Sequence, residues 1–184
     1  METYGPARQM VPDPDFEKKK NKTLAGLDPQ ILDPPMRDLV AGYNKLPYCY
    51  TLQCCHGHIV IPDKGPYSDW QRLPVEDPPL KALYQLAYLA LVIRNNPPGQ
   101  GLLRALASLA GTNPGFMQFG SPDWFWNAQG QANSFALQVS PQRSKDLDRF
   151  EMIEAEARQW MAAREQFMQG LRRILELAKA PRPD

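Results

Sequence analysis

The amino-acid sequence predicts an α+β domain: a small mixed β-sheet covered by helices, closed by a long amphipathic helix over about 141–179. Three observations carry this. Short runs rich in aromatic and β-branched residues recur, at Tyr48–Leu52, His58–Ile61, Phe116–Phe119 and Ser134–Val139. Between and after them, apolar residues fall at helical steps of three and four. A short polar residue before proline then punctuates the chain, as Asp13-Pro14, Asp28-Pro29, Asp33-Pro34, Asp77-Pro78, Ser121-Pro122 and Ser140-Pro141. Asp or Ser accepts a hydrogen bond from an orphan helix amide, and proline at the first helical position has no amide to lose. The 19 prolines therefore read as helix starts rather than as a disordered linker.

In order, residues 1–13 are polar and aperiodic and are expected to be disordered or loosely draped, with a single domain over 14–184. The helix from Pro34 presents Met36, Leu39, Val40 and Tyr43 on one face and is stopped by Pro47. Tyr48–Leu52 and His58–Ile61 follow as strands, and 62–79, with Tyr67 and Trp70, is a long loop. Leu and Ala content predicts a short helix after Pro78, then a strand from about Ala87 to Arg94. Asn95–Gly99 reads as a turn, and Leu102–Ala110 as a helix ended at Gly111. Phe116–Phe119 and Ser134–Val139 flank an aromatic loop, Trp124-Phe125-Trp126, expected to plug the sheet or to stack on a ligand. In the last helix, Phe150, Ile153, Ala157, Trp160, Phe167, Leu171, Ile174 and Ala178 form a stripe that Arg164 interrupts. Such a stripe covers a sheet, or pairs with a copy of itself in a homodimer.

Net charge is +1, so no overall field attracts nucleic acid or an acidic membrane. Three cysteines, two of them adjacent, make no disulfide framework, and the first ten residues lack the apolar core of a signal peptide. A cytoplasmic protein without membrane contact is expected.

Every cysteine and histidine falls within Cys49-Tyr-Thr-Leu-Gln-Cys54-Cys55-His56-Gly57-His58. Thiols and imidazoles are the side chains best suited to metal binding and to acid–base or nucleophilic work near neutral pH. On a regular strand, Cys54, His56 and His58 share one face, while Cys49, Thr51, Gln53 and Cys55 share the other. Residues two apart lie about 6.7 Å from one another and residues four apart about 13 Å, so a shared ion needs a turn, which Gly57 permits.

The first reading is a small-ligand or divalent-metal site, catalytic or regulatory. Its donors are Cys54, His56, His58 and Asp63, and its ion is zinc or another divalent transition metal. In a catalytic version, Cys55 is ligand or nucleophile and His58 ligand or acid–base. The other reading is a non-catalytic, dimeric interaction protein whose cysteines are buried apolar residues.

The segment Thr51-Leu-Gln-Cys-Cys55-His-Gly57-His-Ile59 resembles Thr-Thr-Ser-Ser-Cys-Ser-Gly-Arg-Ile of the tRNA wybutosine-synthesising Tyw3 family. Thr51, Cys55, Gly57 and Ile59 match in register. Gln53, Cys54 and His56 stand where that family has serine, and His58 where it has arginine. The resemblance implies a related fold, a site at this segment, and methyl transfer from S-adenosylmethionine to a modified guanosine in RNA.

Overall fold

The computed structural model describes residues 5–60, 81–144, 147 and 149–180. Its architecture is α+β, built on two antiparallel sheets where a single mixed sheet was expected. The four-stranded sheet runs β1 (Cys49–Cys55), β4 (Ala87–Ile93), β6 (Ser134–Val139), β5 (Met117–Gly120). The three-stranded sheet runs β2 (His58–Val60), β3 (Lys81–Gln85), β7 (Arg149–Ile153).

The helices are α1 (Phe16–Ala25), α2 (Pro34–Lys45), α3 (Pro97–Gly111) and α4 (Glu154–Lys179). Polar–proline pairs start several of these elements. Asp28 accepts a hydrogen bond from the Gln30 amide at 2.8 Å and opens a 3-10 turn. Asn96 accepts one from Gly99 at 2.9 Å, so α3 begins at Pro97, inside the segment expected to be a turn. Residues Trp124–Ala128 form one π-helical turn that seats Phe125 against Ala90 and Ala136.

One core, from Met36 to Leu175, lies between the sheets and α2, α3 and α4. Tyr43 of α2 donates to the Leu171 carbonyl of α4 at 2.9 Å. A Cβ placed on Gly42 would strike Leu175, and one on Gly170 would strike Leu109, so α4 sits close to both α2 and α3. The other face of the four-stranded sheet packs Tyr50 and Val92 against Phe16 of α1. Lys20 of α1 is buried with its ammonium donating to the Leu46 carbonyl just past α2, which supplies the acceptor that burial of a cation demands.

Two further expected elements change. The segment after Pro78 is strand β3, not helix: Ala82, Tyr84 and Leu86 alternate inward, and the segment is hydrogen-bonded to a strand on each side. Leu and Ala content favours helix locally, but pairing with β2 and β7 decides the outcome.

The long helix does not start near residue 141. Phe150 and Met152 alternate inward as β7, and the helix begins at Glu154. The middle of its apolar stripe packs inside the chain, since Ala157, Trp160, Phe167 and Leu171 are all fully buried. Ile153 is exposed, and Ile174 and Ala178 are only partly buried.

Residues 5–13 are irregular yet pinned. The Ser121 amide donates to the Gly5 carbonyl at 2.9 Å, Asn133 exchanges two 2.8 Å bonds with the Val11 backbone, and Arg8 pairs with Asp123. The expected loop 62–79 and the site residue Asp63 lie outside the described residues. Among those residues, no helix is long and apolar enough to cross a membrane.

Candidate functional site: the corner between the two sheets

The Cys/His window sits where the chain passes from one sheet to the other. β1 ends at Cys55, opposite Tyr88 of β4, and β2 starts at His58, opposite Gln85 of β3. The β1–β2 and β3–β4 segments thus form one antiparallel ribbon that bends at His56-Gly57 on one strand and at Leu86 on the other. Strands that switch sheets turn such corners with bulges or glycine bends.

Both devices are present. A bulge between Thr51 and Gln53 shifts the register against β4. Gly57 adopts φ +88°, and a Cβ there would lie 2.8 Å from Trp160 Cζ2 and 2.9 Å from the Ala87 Cβ. Only glycine combines that backbone angle with so close an approach.

The bulge regroups the cysteines. Cys49 stands opposite Ile93 and Cys54 opposite Leu89, both core-facing residues of β4, so these two cysteines share the core side despite their odd spacing. Cys49 is fully buried; its thiol donates to the Tyr43 carbonyl at 3.2 Å, and burial pushes its pKa up to about 12. Cys54 is half-buried beside the core, and desolvation raises its thiol to about 11. The expected division, with Cys54 beside His56 and His58, holds only for an unbroken strand.

The turn at Gly57 gathers a different set: Asp33, Cys55 and His58, with one ligand atom from each lying within 4.8 Å of the others. Asp33 precedes α2, where a capping role is the ordinary expectation, but its carboxylate makes no cap bond. It reaches the corner instead. One oxygen accepts the His56 backbone N–H at 2.8 Å, and the other lies 3.4 Å from His58 Nε2.

Cys55 is buried, with 7% of the residue exposed. Its sulfur accepts the Gly57 N–H at 3.3 Å, and its S–H donates to Asp33. Burial, together with the neighbouring carboxylate, pushes the thiol up to about 11 despite the lowering effect of that amide. A nucleophilic cysteine needs the opposite, a depressed pKa; this environment suits a protonated thiol, or a thiolate neutralised by a cation.

α4 braces the corner from behind. Arg164 Nη1 donates to the Gly57 carbonyl at 3.2 Å, and its guanidinium lies 4.8 Å from the Trp160 ring. Trp160 packs on Tyr84 at 4.0 Å, and the Tyr84 hydroxyl accepts the Ala87 N–H at 2.7 Å while donating to Val139.

Of the residues singled out from sequence, Cys55 and His58 come together. Cys54 lies outside the three-residue group, and His56 contributes its backbone amide. Asp33 and Arg164 were missed as site residues, although Arg164 carried a signal, a charge interrupting an apolar stripe. Asp33 carried none beyond the Asp-Pro pattern it shares with ordinary caps.

No protein-family profile matches the chain, and no curated protein does. Two solved structures of the PH1069 protein from Pyrococcus horikoshii are similar in fold. One is 14% identical with a TM-score of 0.53, covering 91% of this chain and 97% of that one. The other is 13% identical with a TM-score of 0.50, covering 89% and 93%. At such identity the likeness is one of fold alone.

Proposed function

We propose that the sheet-to-sheet corner is a divalent-metal site with Asp33, Cys55 and His58 as ligands and zinc as the fitting ion. The carrying observation is the convergence of one carboxylate oxygen, one thiol sulfur and one imidazole nitrogen within 4.8 Å. Tetrahedral zinc bonds of about 2.0–2.3 Å to O, N and S donors place ligand atoms at comparable separations. The group itself suits a cation, because a thiol beside a carboxylate in a buried pocket gains a counter-charge when metal replaces its proton. Three protein ligands leave a fourth position for water or a small ligand, as in sites that activate water or bind substrate.

The test is metal analysis of protein purified without a histidine tag and equilibrated with zinc. One equivalent is expected, lost in His58→Ala and Asp33→Asn and retained in His56→Ala, whose contribution is a backbone amide. Zinc-equilibrated protein that stays metal-free overturns the reading. Loss in His56→Ala would instead mean a closed, four-ligand structural centre.

A second reading is a wybutosine-synthesising-like, S-adenosylmethionine-dependent enzyme acting on RNA. It is favoured by the constraints on the four residues that carry the resemblance. Thr51 N–H and hydroxyl both donate to Asn44, Cys55 receives the Gly57 amide, Gly57 turns the corner and Ile59 is buried. A segment held by its backbone geometry supports a shared site location. Calorimetric titration with S-adenosylmethionine decides it: absence of binding removes the reading.

A further inference from the structure

A second cleft, separate from the Cys/His corner, lies between α1, the bulge of β1 and the turn at 129–131. Its volume is about 590 Å³, within the range of about 300–1,000 Å³ typical of small-molecule pockets. Three separate chain segments converge on it, and their chemistry is asymmetric.

Lys19 and Lys22, one turn apart on α1, supply positive charge. The carboxylate of Asp13 holds the Lys19 ammonium at 3.0 Å, whereas Lys22 makes no ion pair among the described residues. The one acid lining the cleft, Asp28, accepts from its own turn's Gln30 amide. Leu27, Ile31 and Leu52 provide apolar walls, with Ile31 79% exposed at the rim. Opposite them, Gln129 and Gln131 bring amides; the Gln131 oxygen accepts the Tyr50 hydroxyl at 3.0 Å, leaving its NH2 as a donor. Gly130 has φ +59° with nothing within 4 Å of where a Cβ would stand, so the backbone itself is open to a ligand.

We propose that this cleft binds a phosphate-bearing small molecule with a flat heteroaromatic body, the size of a mononucleotide. Lys22 takes the phosphate, the leucines and Ile31 cover the ring, and the Gln129 and Gln131 amides read its polar edge. The proposal stands on the cleft alone and does not depend on the metal reading.

The test is titration of the full chain with AMP, GMP, CMP and UMP, followed by amide NMR and calorimetry, with the four corresponding nucleosides as the uncharged comparisons. Expected are sub-millimolar binding of at least one nucleotide, shifts at Thr51, Leu52 and Gly130, and binding of the matching nucleoside at least tenfold weaker. Lys22→Glu should weaken binding at least tenfold, and Lys18→Glu, an equal charge change on α1 outside the cleft, less than twofold. Three outcomes overturn the proposal: no nucleotide bound at 5 mM, shifts confined to residues outside the cleft, or equal losses in the two lysine variants, which would mean a diffuse field.

Discussion

Gly57→Ala tests the corner most directly, because two separable penalties meet at one atom. The first is backbone: φ +88° lies in the left-handed region, which costs an L-residue about 1–2 kcal/mol. The second is steric. A Cβ would lie 2.8 Å from the Trp160 ring, 2.9 Å from the Ala87 Cβ and 3.0 Å from the Ala87 nitrogen, and forced core contacts of this kind cost about 1–3 kcal/mol. Ala87 belongs to the paired strand and Trp160 is fully buried under Tyr84, so neither yields easily.

The sum is about 3 kcal/mol, or a fall in Tm of about 6–12 °C for a chain of this length. Gly130→Ala is the internal control: φ is +59° and nothing lies within 4 Å, so only the backbone penalty, about 1 kcal/mol, applies. Denaturant melts of both variants read the difference, about 2 kcal/mol, as the steric part. Adding Trp160→Phe removes the nearest clashing atom, so the double variant should lose less than the sum of the singles. Equal costs at Gly57 and Gly130, or strict additivity with Trp160→Phe, would refute the packing described at the corner.

Arg164→Met keeps the cover over Trp160 but leaves the buried Gly57 carbonyl without this donor, and should cost about 1–2 kcal/mol in the same melts. In metal-free protein at pH 8, Cys54, half-buried with its thiol raised to about 11, should alkylate about a hundredfold more slowly than a free cysteine, accelerating about tenfold per pH unit until near 11. Fast labelling at pH 8 would contradict that environment. Asp33→Asn removes a carboxylate that raises the Cys55 thiol, so labelling of Cys55 should begin at lower pH than in wild type; an unchanged profile would leave burial as the sole cause. Sedimentation at high micromolar concentration should report a monomer, because Trp160, Phe167 and Leu171, the largest side chains of the α4 stripe, are buried within the chain; a dimer would mean that its exposed remainder pairs.

What was legible from sequence was whatever short-range chemistry decides. The α2 face and strands β5 and β6 follow from periodicity, and the pooling of Cys and His marks the segment that turns the corner between the sheets. The errors share one cause. β3 and β7 are five-residue segments whose local composition suits helix, and they are strands because they hydrogen-bond to each other across nearly seventy residues of chain. The ligand grouping failed for a related reason: face alternation was counted through Leu52, where the bulge breaks it for Cys49, and through Gly57, where the turn brings His58 to Cys55 instead of Cys54. Asp33 arrives from another element altogether, and no spacing within residues 49–58 points to it.

The bend between the sheets also sets a rule of length. One extra residue at the bulge and one left-handed glycine together decide which side chains reach Asp33. Regular pairing through Leu52, without the bulge, would carry Cys55 to the opposite side, and one inserted residue between Cys55 and His58 would put the imidazole out of phase with the sulfur. Between Cys55 and His58 the residue number is therefore as constrained as the glycine at position 57, while the open turn at Gly130 has no such arithmetic to preserve.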